Sequence, residues 1–348
     1  MPGKDMTLKG LEVFRAVARM GSMQAVAAEM SLSISTVSHH LKTLETGLGV
    51  NLLDHGRRPM VLTAAGAVFL RHVDEGLRQI RRGEIELTSA SLEEARILRL
   101  GLVDDLDGDI APELAQMLAQ LMPDCIFRHK IRPSHEILEM VSGDKLDVAV
   151  ATRPHHEIPD LIDYPLLRDP FMVAIPAFSE ISAEDYIAGR GDIPFLRYAK
   201  SQLIGSQIET NLRRSRLTYE RRYELESNQM LLAMVAGGAG WAITTAVSYM
   251  RARRFHGRIA LAPFPGKEFA RSLSLFTTEL YPAAVPRAIY TILHTLIERH
   301  IVKPAVTEMP WLRGSLMTLN AGESGPDARD VGALPKSNAT PSDRALRG

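Results

Sequence analysis

The chain has 348 residues, 45% of them apolar, and its 41 lysines and arginines balance its 41 aspartates and glutamates. That length allows about two to three domains of roughly 100 to 200 residues, and the zero net charge excludes a chain whose overall charge attracts nucleic acid or membrane. The single cysteine, Cys125, excludes an internal disulfide and fits a reducing compartment.

Neither a leader nor a membrane span is expected. The amino terminus, MPGKDMTLKGLEVFRAV, scatters charges among its apolar positions, unlike a secretory signal peptide. The uncharged window 228–250 is long enough to span a bilayer, but Gly237, Gly238 and Gly240 interrupt it. A buried helix, a glycine turn and a short strand fit that window better, so we expect no membrane partner and a cytoplasmic protein.

The first sixty residues predict short helices. One apolar face ends at Gly21 and consists of Leu8, Leu11, Phe14, Val17 and Ala18. Ser22 is placed to cap a second helix and Ser33 a third, whose buried stripe is Val37, Leu41, Leu44 and Leu48. Short helix, tight turn and capped helix indicate a helix-turn-helix unit. The following GVNLLDHGRRPMVLT predicts a hairpin wing around a Gly-Arg-Arg-Pro turn.

A longer helix is predicted from Ala64 to about Leu92. Its apolar residues follow alternating three- and four-residue steps, at Leu70, Val73, Leu77, Ile80 and Leu87. Such a narrow stripe predicts a dimer seam, and the alternative is a helix that packs against its own domain.

Beyond Arg96 the pattern changes to strands at 96–103, 125–131 and 146–152, separated by helices at 111–122 and 135–143. This alternation predicts a parallel sheet with right-handed crossovers. A second set follows from about Asp163, and the strand 272–278 returns toward the first set, so two α/β lobes would enclose a ligand cleft. The C-terminal tail, 303–348, is expected to be disordered from about Gly314, because Gly, Pro, Ser, Asp and Asn dominate there.

Four aspartates follow the first of these strands in GLVDDLDGDI, at positions 104, 105, 107 and 109. The pattern resembles the nucleophile loop of haloacid-dehalogenase-type phosphatases, with Asp105 and Asp107 as catalytic residues and SGDKLD as a metal-binding motif. The alternative is a strand end followed by helix caps, in which Asp107 or Asp109 caps a helix that begins near Pro112.

The segment LEVFRAVARMGSMQAVAAEMSLSISTVSHHLKTLETGLGVNLLDHGRRPMVLTAAG resembles the DNA-binding region of LysR-type transcriptional regulators. It has that family's Gly-Ser before the second helix, a serine-rich recognition helix, Leu44-Glu45, Leu48-Gly49 and Leu62-Thr63-x-x-Gly66. Weaker similarity extends to about residue 300, through SGDKLDVAVA and MVAGGAGWAITT.

The resemblance implies a bacterial transcriptional regulator and not an enzyme, with no cofactor and no metal. Its parts would be a winged helix-turn-helix domain (1–63), a linker and dimerisation helix (64–94) and a two-lobed α/β sensor domain similar to periplasmic binding proteins (95–302). The implied partners are double-stranded promoter DNA, a small-molecule effector, RNA polymerase and further copies of the chain in a dimer or tetramer. The phosphatase becomes a remote alternative, because SGDKLD precedes a strand and Asp109 stands where that enzyme usually has Thr or Val.

Serines, histidines and basic residues of the helix-turn-helix and wing are the expected DNA contacts. A recognition helix enters the major groove, where hydroxyl and basic side chains meet base edges and phosphates. Base contacts are expected from Thr36, His39 and His40, and phosphate contacts from Ser38, Lys42, Arg57 and Arg58. The DNA-binding set as a whole comprises Ser22, Ser33, Ser35, Thr36, Ser38, His39, His40, Lys42, Arg57 and Arg58.

Three positions depart from the family pattern. Ile34 stands where the family often has a base-reading glutamine, Ser35 where proline is usual, and His55 where the wing typically has arginine. The recognised DNA sequence is therefore expected to differ from the commonest family pattern, and the resemblance does not carry over to His55 the DNA-backbone contact of the wing arginine.

The aspartates would lie at the carboxyl end of a strand, where ligands of such sheets bind. Several acids attract an ammonium group, and aromatic rings add cation–π contacts, so we expect a cationic or zwitterionic effector that shifts the protein between two arrangements. The expected effector contacts are Asp104, Asp105, Asp107, Ser134, Thr152, Tyr198, Ser201 and Trp241.

Two alternatives to this effector site stay open. The acids would be neutralised by Arg128, Lys130 and Arg132, or the regulator would be effector-independent and controlled by its abundance or a protein partner. A basic run elsewhere is expected to form a solvated face or a subunit contact, and comprises Arg213, Arg214, Arg216, Arg221 and Arg222.

Overall fold

The structure, a computed structural model, describes residues 6–88, 96–265, 269–279, 281 and 283–320. The chain divides into two compact units, and the boundary between them falls after Arg96.

The first unit begins with three short helices, α1 (Leu8–Met20), α2 (Met23–Glu29) and α3 (Ile34–Leu48). A hydroxyl caps each helix, because Thr7, Ser22 and Ser33 accept the backbone N–H groups of Gly10, Ala25 and Thr36. The strands β1 (Leu53–Asp54) and β2 (Val61–Leu62) pair antiparallel as a hairpin. The predicted winged helix-turn-helix is therefore confirmed.

The helix α4 (Ala64–Thr88) completes the first unit. Val73 and Leu77 lie in the same core as Phe14, Val17 and Leu41, and Leu70 packs against it. At these positions the helix packs against its own domain, which is the alternative to the predicted dimer seam. Ile80 is 47% exposed, whereas the side chain of Leu87 and the linker residues 89–94 lie outside the described residues.

The second unit has two lobes made of strands and helices. Its strands are β3 (Ile97–Leu102), β4 (Ile126–Ile131), β5 (Val148–Thr152), β6 (Leu161–Pro176), β7 (Phe195–Tyr198), β8 (Tyr223–Leu225), β9 (Trp241–Thr245), β10 (Ile259–Pro263), β11 (Ala270–Thr278) and β12 (Met317–Thr318). Its helices are α5 (Ile110–Leu121), α6 (Ser134–Ser142), α7 (Ala183–Ile187), α8 (Leu203–Arg214), α9 (Asn228–Ala236), α10 (Ala246–Arg251), α11 (Ala284–Ile297) and α12 (Lys303–Glu308).

The strand order gives each lobe its own part of the sheet. In the first lobe β4, β3 and β5 are parallel, and β11 and the first half of β6 follow antiparallel. The second half of β6 pairs with β9 and β10 in the second lobe, where β7 and β8 complete the sheet. The long β6 thus belongs to both lobes, which confirms the predicted two-lobed α/β domain with exchanged strands.

The described C-terminal segment, residues 303–320, packs on the first lobe, which corrects the expectation of disorder from about Gly314. Leu312, Leu316 and Leu319 are buried, and β12 pairs with β6. The composition of this segment favours turns, but these leucines bury enough apolar surface to offset the entropy lost when the backbone becomes ordered. The rest of the expected tail, 321–348, lies outside the described residues.

The window that is long enough to span a bilayer folds as α9, the glycine turn, β9 and α10. Across the described ranges, no helix combines the length and the apolar content that a membrane crossing requires.

Candidate DNA-binding surface and sensor site

The recognition helix α3 presents a polar face and buries its apolar stripe. Val37, Leu41 and Leu44 are buried, which leaves exposed Ser33, Ile34, Ser35, Ser38, His39 and Lys42. Thr36 and His40 are half-buried at the margins of this face. The structure therefore brings the expected contacts of α3 together on one side of one helix.

The hydroxyl groups at the start of α3 already bond to one another. Ser33 Oγ lies 2.7 Å from both Ser35 Oγ and Thr36 Oγ1 and accepts the Thr36 backbone N–H at 3.0 Å. Ser33, like Ser22 at the start of α2, is therefore a capping residue, and its hydroxyl is less free for DNA than those farther along the helix.

A buried glutamate, Glu45, connects α3 to the wing. Its Oε1 accepts the backbone N–H groups of Leu52 and Leu53 at 2.7 and 3.1 Å, and its Oε2 lies 2.9 Å from His55 Nε2. The ring of His55, at the position where the resemblance implies an arginine, therefore contacts the buried Glu45. In the sequence Glu45 stands out only as part of a family pattern, and no local pattern indicates this contact.

The wing turn exposes Arg57 and Arg58. Arg57 pairs with Asp54 at 3.2 Å, and Arg58 Nη1 donates to the carbonyls of His55 and Arg57 at 3.1 and 2.9 Å. These contacts hold both guanidinium groups at the tip of the hairpin, where part of each donor set stays open to solvent.

In the second unit the aspartates meet arginines that sequence analysis did not identify. Asp105 Oδ2 accepts from Arg271 Nη2 at 2.5 Å, and Asp105 Oδ1 accepts from Asn228 Nδ2 and Ser248 Oγ at 2.6 and 2.9 Å. Arg271 also donates through Nε to Asp169 at 2.8 Å. Asp105, Asp169 and Arg271 are all buried, so this cluster is an internal network of paired charges that links the segment after β3 in the first lobe to α9 and α10 of the second.

Two more arginines pair with the outer acids. Arg251 donates through Nε and Nη2 to Asp107 at 2.6 and 2.7 Å, and Arg253 lies 2.8 Å from Asp109. Asp109 precedes α5, but its side chain makes no capping bond. The charges that pair with these aspartates thus come from Arg251, Arg253 and Arg271, whereas Arg128 and Lys130 of β4 and Arg132 after it were the expected partners. The expected capping role is absent for Asp109.

Asp104 has the weakest partners of the four. Its Oδ2 lies 3.5 Å from Asn228 Nδ2 and 3.8 Å from Arg251 Nη1. Burial, followed by the neighbouring charge of Asp105, raises the pKa of Asp104 to about 6. The ionised form of Asp104 therefore lacks a close positive partner, which makes this carboxyl the most available one in the cluster.

Of the other five expected effector contacts, four are buried and one, Ser201, is exposed. Ser134 Oγ accepts the Thr152 backbone N–H at 3.0 Å, and Tyr198 Oη lies 3.1 Å from Thr244 Oγ1. Burial raises the pKa of Tyr198. Ser201 is exposed, whereas Trp241 is buried among Phe195, Tyr186 and Tyr219, so its ring belongs to an aromatic core instead of an open pocket.

Comparison with known families gives two matches that together cover most of the described chain. A model described as "LysR substrate binding domain" matches residues 91–294, and one described as "Bacterial regulatory helix-turn-helix protein, lysR family" matches residues 8–67. The matched functions are those of regulators, which leaves the phosphatase alternative without support.

Similar proteins agree with these matches. An HTH-type transcriptional regulator of Sinorhizobium fredii, y4mQ, is 36% identical over 115 residues, which are 33% of this chain and 38% of that protein. The regulator YfeR of Shigella flexneri is 25% identical over 246 residues, 70% of this chain and 80% of that protein. A full-length OxyR variant of Pseudomonas aeruginosa matches with a TM-score of 0.60 at 20% identity, over 85% of this chain and 96% of that one, which shows the shared fold.

Proposed function

Because the chain belongs to the LysR family of bacterial transcriptional regulators, we propose that it binds promoter DNA as a dimer or tetramer and responds to a small molecule held near Asp104. In this proposal the protein acts in the cytoplasm, where its DNA is.

The exposed face of α3 carries the DNA-binding part of the proposal. Its cap and buried stripe fix the helix, while His39 and Lys42 point outward on successive turns. An α-helix fits the major groove, so His39 would meet base edges, Lys42 a phosphate, and Arg57 and Arg58 of the wing the flanking backbone.

Selection of genomic fragments by the full-length protein, followed by binding titrations on the enriched duplex, tests this assignment. We expect His39→Ala to reduce discrimination between the enriched duplex and a scrambled one, and Lys42→Ala to weaken binding to both and to lower the salt dependence. Arg214→Ala, an exposed change in the second unit, serves as the charge control. Equal effects of Lys42→Ala and Arg214→Ala would contradict the proposed surface.

Charge balance supports a cationic or zwitterionic effector. Among the described residues, the carboxyl groups of Asp104, Asp105, Asp107, Asp109 and Asp169 pair with three guanidinium groups, those of Arg251, Arg253 and Arg271. Asp105 and Asp107 already form ion pairs with Arg271 and Arg251. Asp104 would therefore contact the ligand, while Asp105 and Asp107 would hold the site together. An ammonium beside Asp104 would relieve the unfavourable charge that raises its pKa.

Thermal unfolding of the full chain with a panel of amines, betaines, amino acids and organic acids tests the effector class. A cation that stabilises the parent and fails to stabilise Asp104→Asn supports the proposal. Stabilisation only by anions, unchanged in that variant, would contradict it. No stabilisation by any compound would favour the effector-independent regulator, which the paired charges of Asp105 and Arg271 also fit.

Self-association would use the part of α4 beyond Leu77. Ile80 is exposed although it continues the apolar stripe, so a partner helix would cover it. We expect Ile80→Glu to raise the dissociation constant of the dimer in light scattering, with Val68→Glu, an equally exposed apolar position of α4, as the control. The effector would then act by favouring one of two arrangements of the assembly.

A further inference from the structure

A cavity lies within the second lobe, between α8 and the loop 215–222. Its volume is about 250 Å³. Since one water accounts for roughly 30 Å³ of liquid, the space suits a small metabolite. Its lining residues are Arg197, Lys200, Ser206, Glu209, Leu212, Arg213, Leu217, Thr218, Tyr219 and Arg221.

A buried arginine on β7, Arg197, forms the inner wall of this cavity. Only 6% of it is exposed. Its Nη1 donates to Glu209 and its Nη2 to the carbonyl of Tyr219, whereas its Nε has no hydrogen-bond partner among the described residues. Buried donors are nearly always satisfied, so the unmet Nε calls for an acceptor that a ligand or ordered water would supply.

The charge of the lining is strongly positive. Lys200, Arg213 and Arg221 are exposed, and within the described part of the chain their side chains form no ion pair. Glu209 is the one acid of the lining and already pairs with Arg197. The remaining cations therefore concentrate positive potential at the cavity mouth.

We propose that this cavity binds a small organic anion that carries carboxylate or phosphate groups. The anion would accept from Arg197 Nε inside and from Arg213 and Arg221 at the mouth, with hydroxyl donors from Ser206 and Thr218. Charge-assisted hydrogen bonds of this kind are the strong ones. The buried arginine favours a ligand that enters the cavity over a nucleic acid on the surface.

This site is independent of the proposed effector site at Asp104, because its residues and the sign of its charge differ. A solvated basic face or a subunit contact, the roles that sequence analysis expected for this run, would need no buried donor. The unmet Nε of Arg197 is the observation that separates the alternatives.

An intrinsic probe lies next to the cavity. Tyr219 lines the cavity, and its ring centroid is 5.1 Å from that of Trp241, which lies edge-on to it. The other tryptophan of the chain, Trp311, is partly exposed. A full-length Trp311→Phe protein would therefore report on the cavity through Trp241 fluorescence alone.

The test titrates this protein with inorganic phosphate, succinate and citrate at constant ionic strength, with chloride as the reference. We expect saturable changes in Trp241 fluorescence with millimolar or tighter affinity for at least one of the three, accompanied by a rise in Tm. The variant Arg213→Gln/Arg221→Gln should bind at least tenfold more weakly. The matched control, Arg214→Gln/Arg222→Gln, removes the same charge from residues outside the lining and should bind like the parent.

Two results would overturn the proposal. One is the absence of saturable binding by all three anions up to the solubility of their salts. The other is an equal loss of affinity in the two double variants, which would indicate general charge attraction or a subunit contact. Both double variants change exposed residues, so far-ultraviolet circular dichroism should show the parent fold in each.

Discussion

Asp104 differs from its neighbours because it combines partial burial with distant partners. Its folded-state pKa of about 6 lies above its ordinary value of 3.8. In the interval between these values the folded protein holds a proton that the unfolded chain has released. The contribution of the protonated Asp104 carboxyl to the free energy of unfolding is therefore fully present below pH 3.8, and it is lost as the pH rises through about 6.

Asp104→Asn should abolish this loss of unfolding free energy at higher pH, because the amide is neutral at every pH. We expect the variant to have a higher Tm than the parent at about pH 8, with a difference that shrinks toward about pH 5. Thermal unfolding of the full chain in a series of buffers measures it. Asp109→Asn, which removes only the exposed pair with Arg253, should show no such trend. A parallel pH dependence of the parent and Asp104→Asn would refute the assignment.

Glu45 acts at the same scale in the first unit. Glu45→Ala leaves the N–H groups of Leu52 and Leu53 without their acceptor, at a cost of about 3 kcal/mol. Hydrogen exchange of these two amides should quicken, and binding to the enriched duplex should weaken because the wing loses its attachment to α3. Glu45→Gln keeps an acceptor oxygen and should cost less. Unchanged exchange in Glu45→Ala would contradict the role.

At the scale of elements, the C-terminal segment is an integral part of the first lobe. Arg168 Nη1 donates to the Ser315 carbonyl at 2.6 Å, Tyr290 Oη donates to the Leu319 carbonyl at 2.6 Å, and the Leu319 N–H donates to Leu166. With Leu312 and Leu316 buried as well, the segment covers an edge of β6 that would otherwise stay open.

Truncation measures what this segment contributes. A chain that ends at Asn320 serves as the reference, and one that ends at Val302 should be less stable than it by at least ~3 kcal/mol, because the shorter chain exposes apolar surface that the three buried leucines cover. Urea unfolding followed by circular dichroism measures both. Equal stability of the two truncated chains would show that the segment contributes nothing to the lobe.

The contrast between predicted and unpredicted elements has a physical cause. The caps Ser22 and Ser33, the stripe of α3 and the alternation of strands and helices are local patterns, so periodicity and capping rules identify them. The β12 pairing and the partners of Asp105 join residues far apart in the chain, from Asn228 to Arg271. Local patterns carry no information on such partners, although a charged Arg271 at the start of an otherwise apolar and hydroxyl-rich strand is a signal that a buried acid must face it.

At the scale of the whole sensor unit, the Asp105 network connects the lobes. Asp105 follows β3 of the first lobe, whereas Asn228 and Ser248 belong to α9 and α10 of the second. Arg271 lies at the start of the strand that returns to the first lobe and binds Asp105 and Asp169 together. Any change in the relation of the lobes must therefore rearrange buried charges, which gives the unit discrete arrangements instead of a continuous range.

Asp105→Asn tests whether this network sets the relation of the lobes. The variant leaves Arg271 with one carboxylate, and the loss of a buried ionic partner should cost about 3 kcal/mol of unfolding free energy. Hydrogen exchange should quicken around Asp104–Leu106 and α10, on both sides of the lobe boundary, and Asp109→Asn should change neither quantity. Faster exchange in the first lobe alone would mean that Asp105 stabilises its own loop. Faster exchange on both sides would support the network as the element through which the proposed ligand at Asp104 would act on the second lobe.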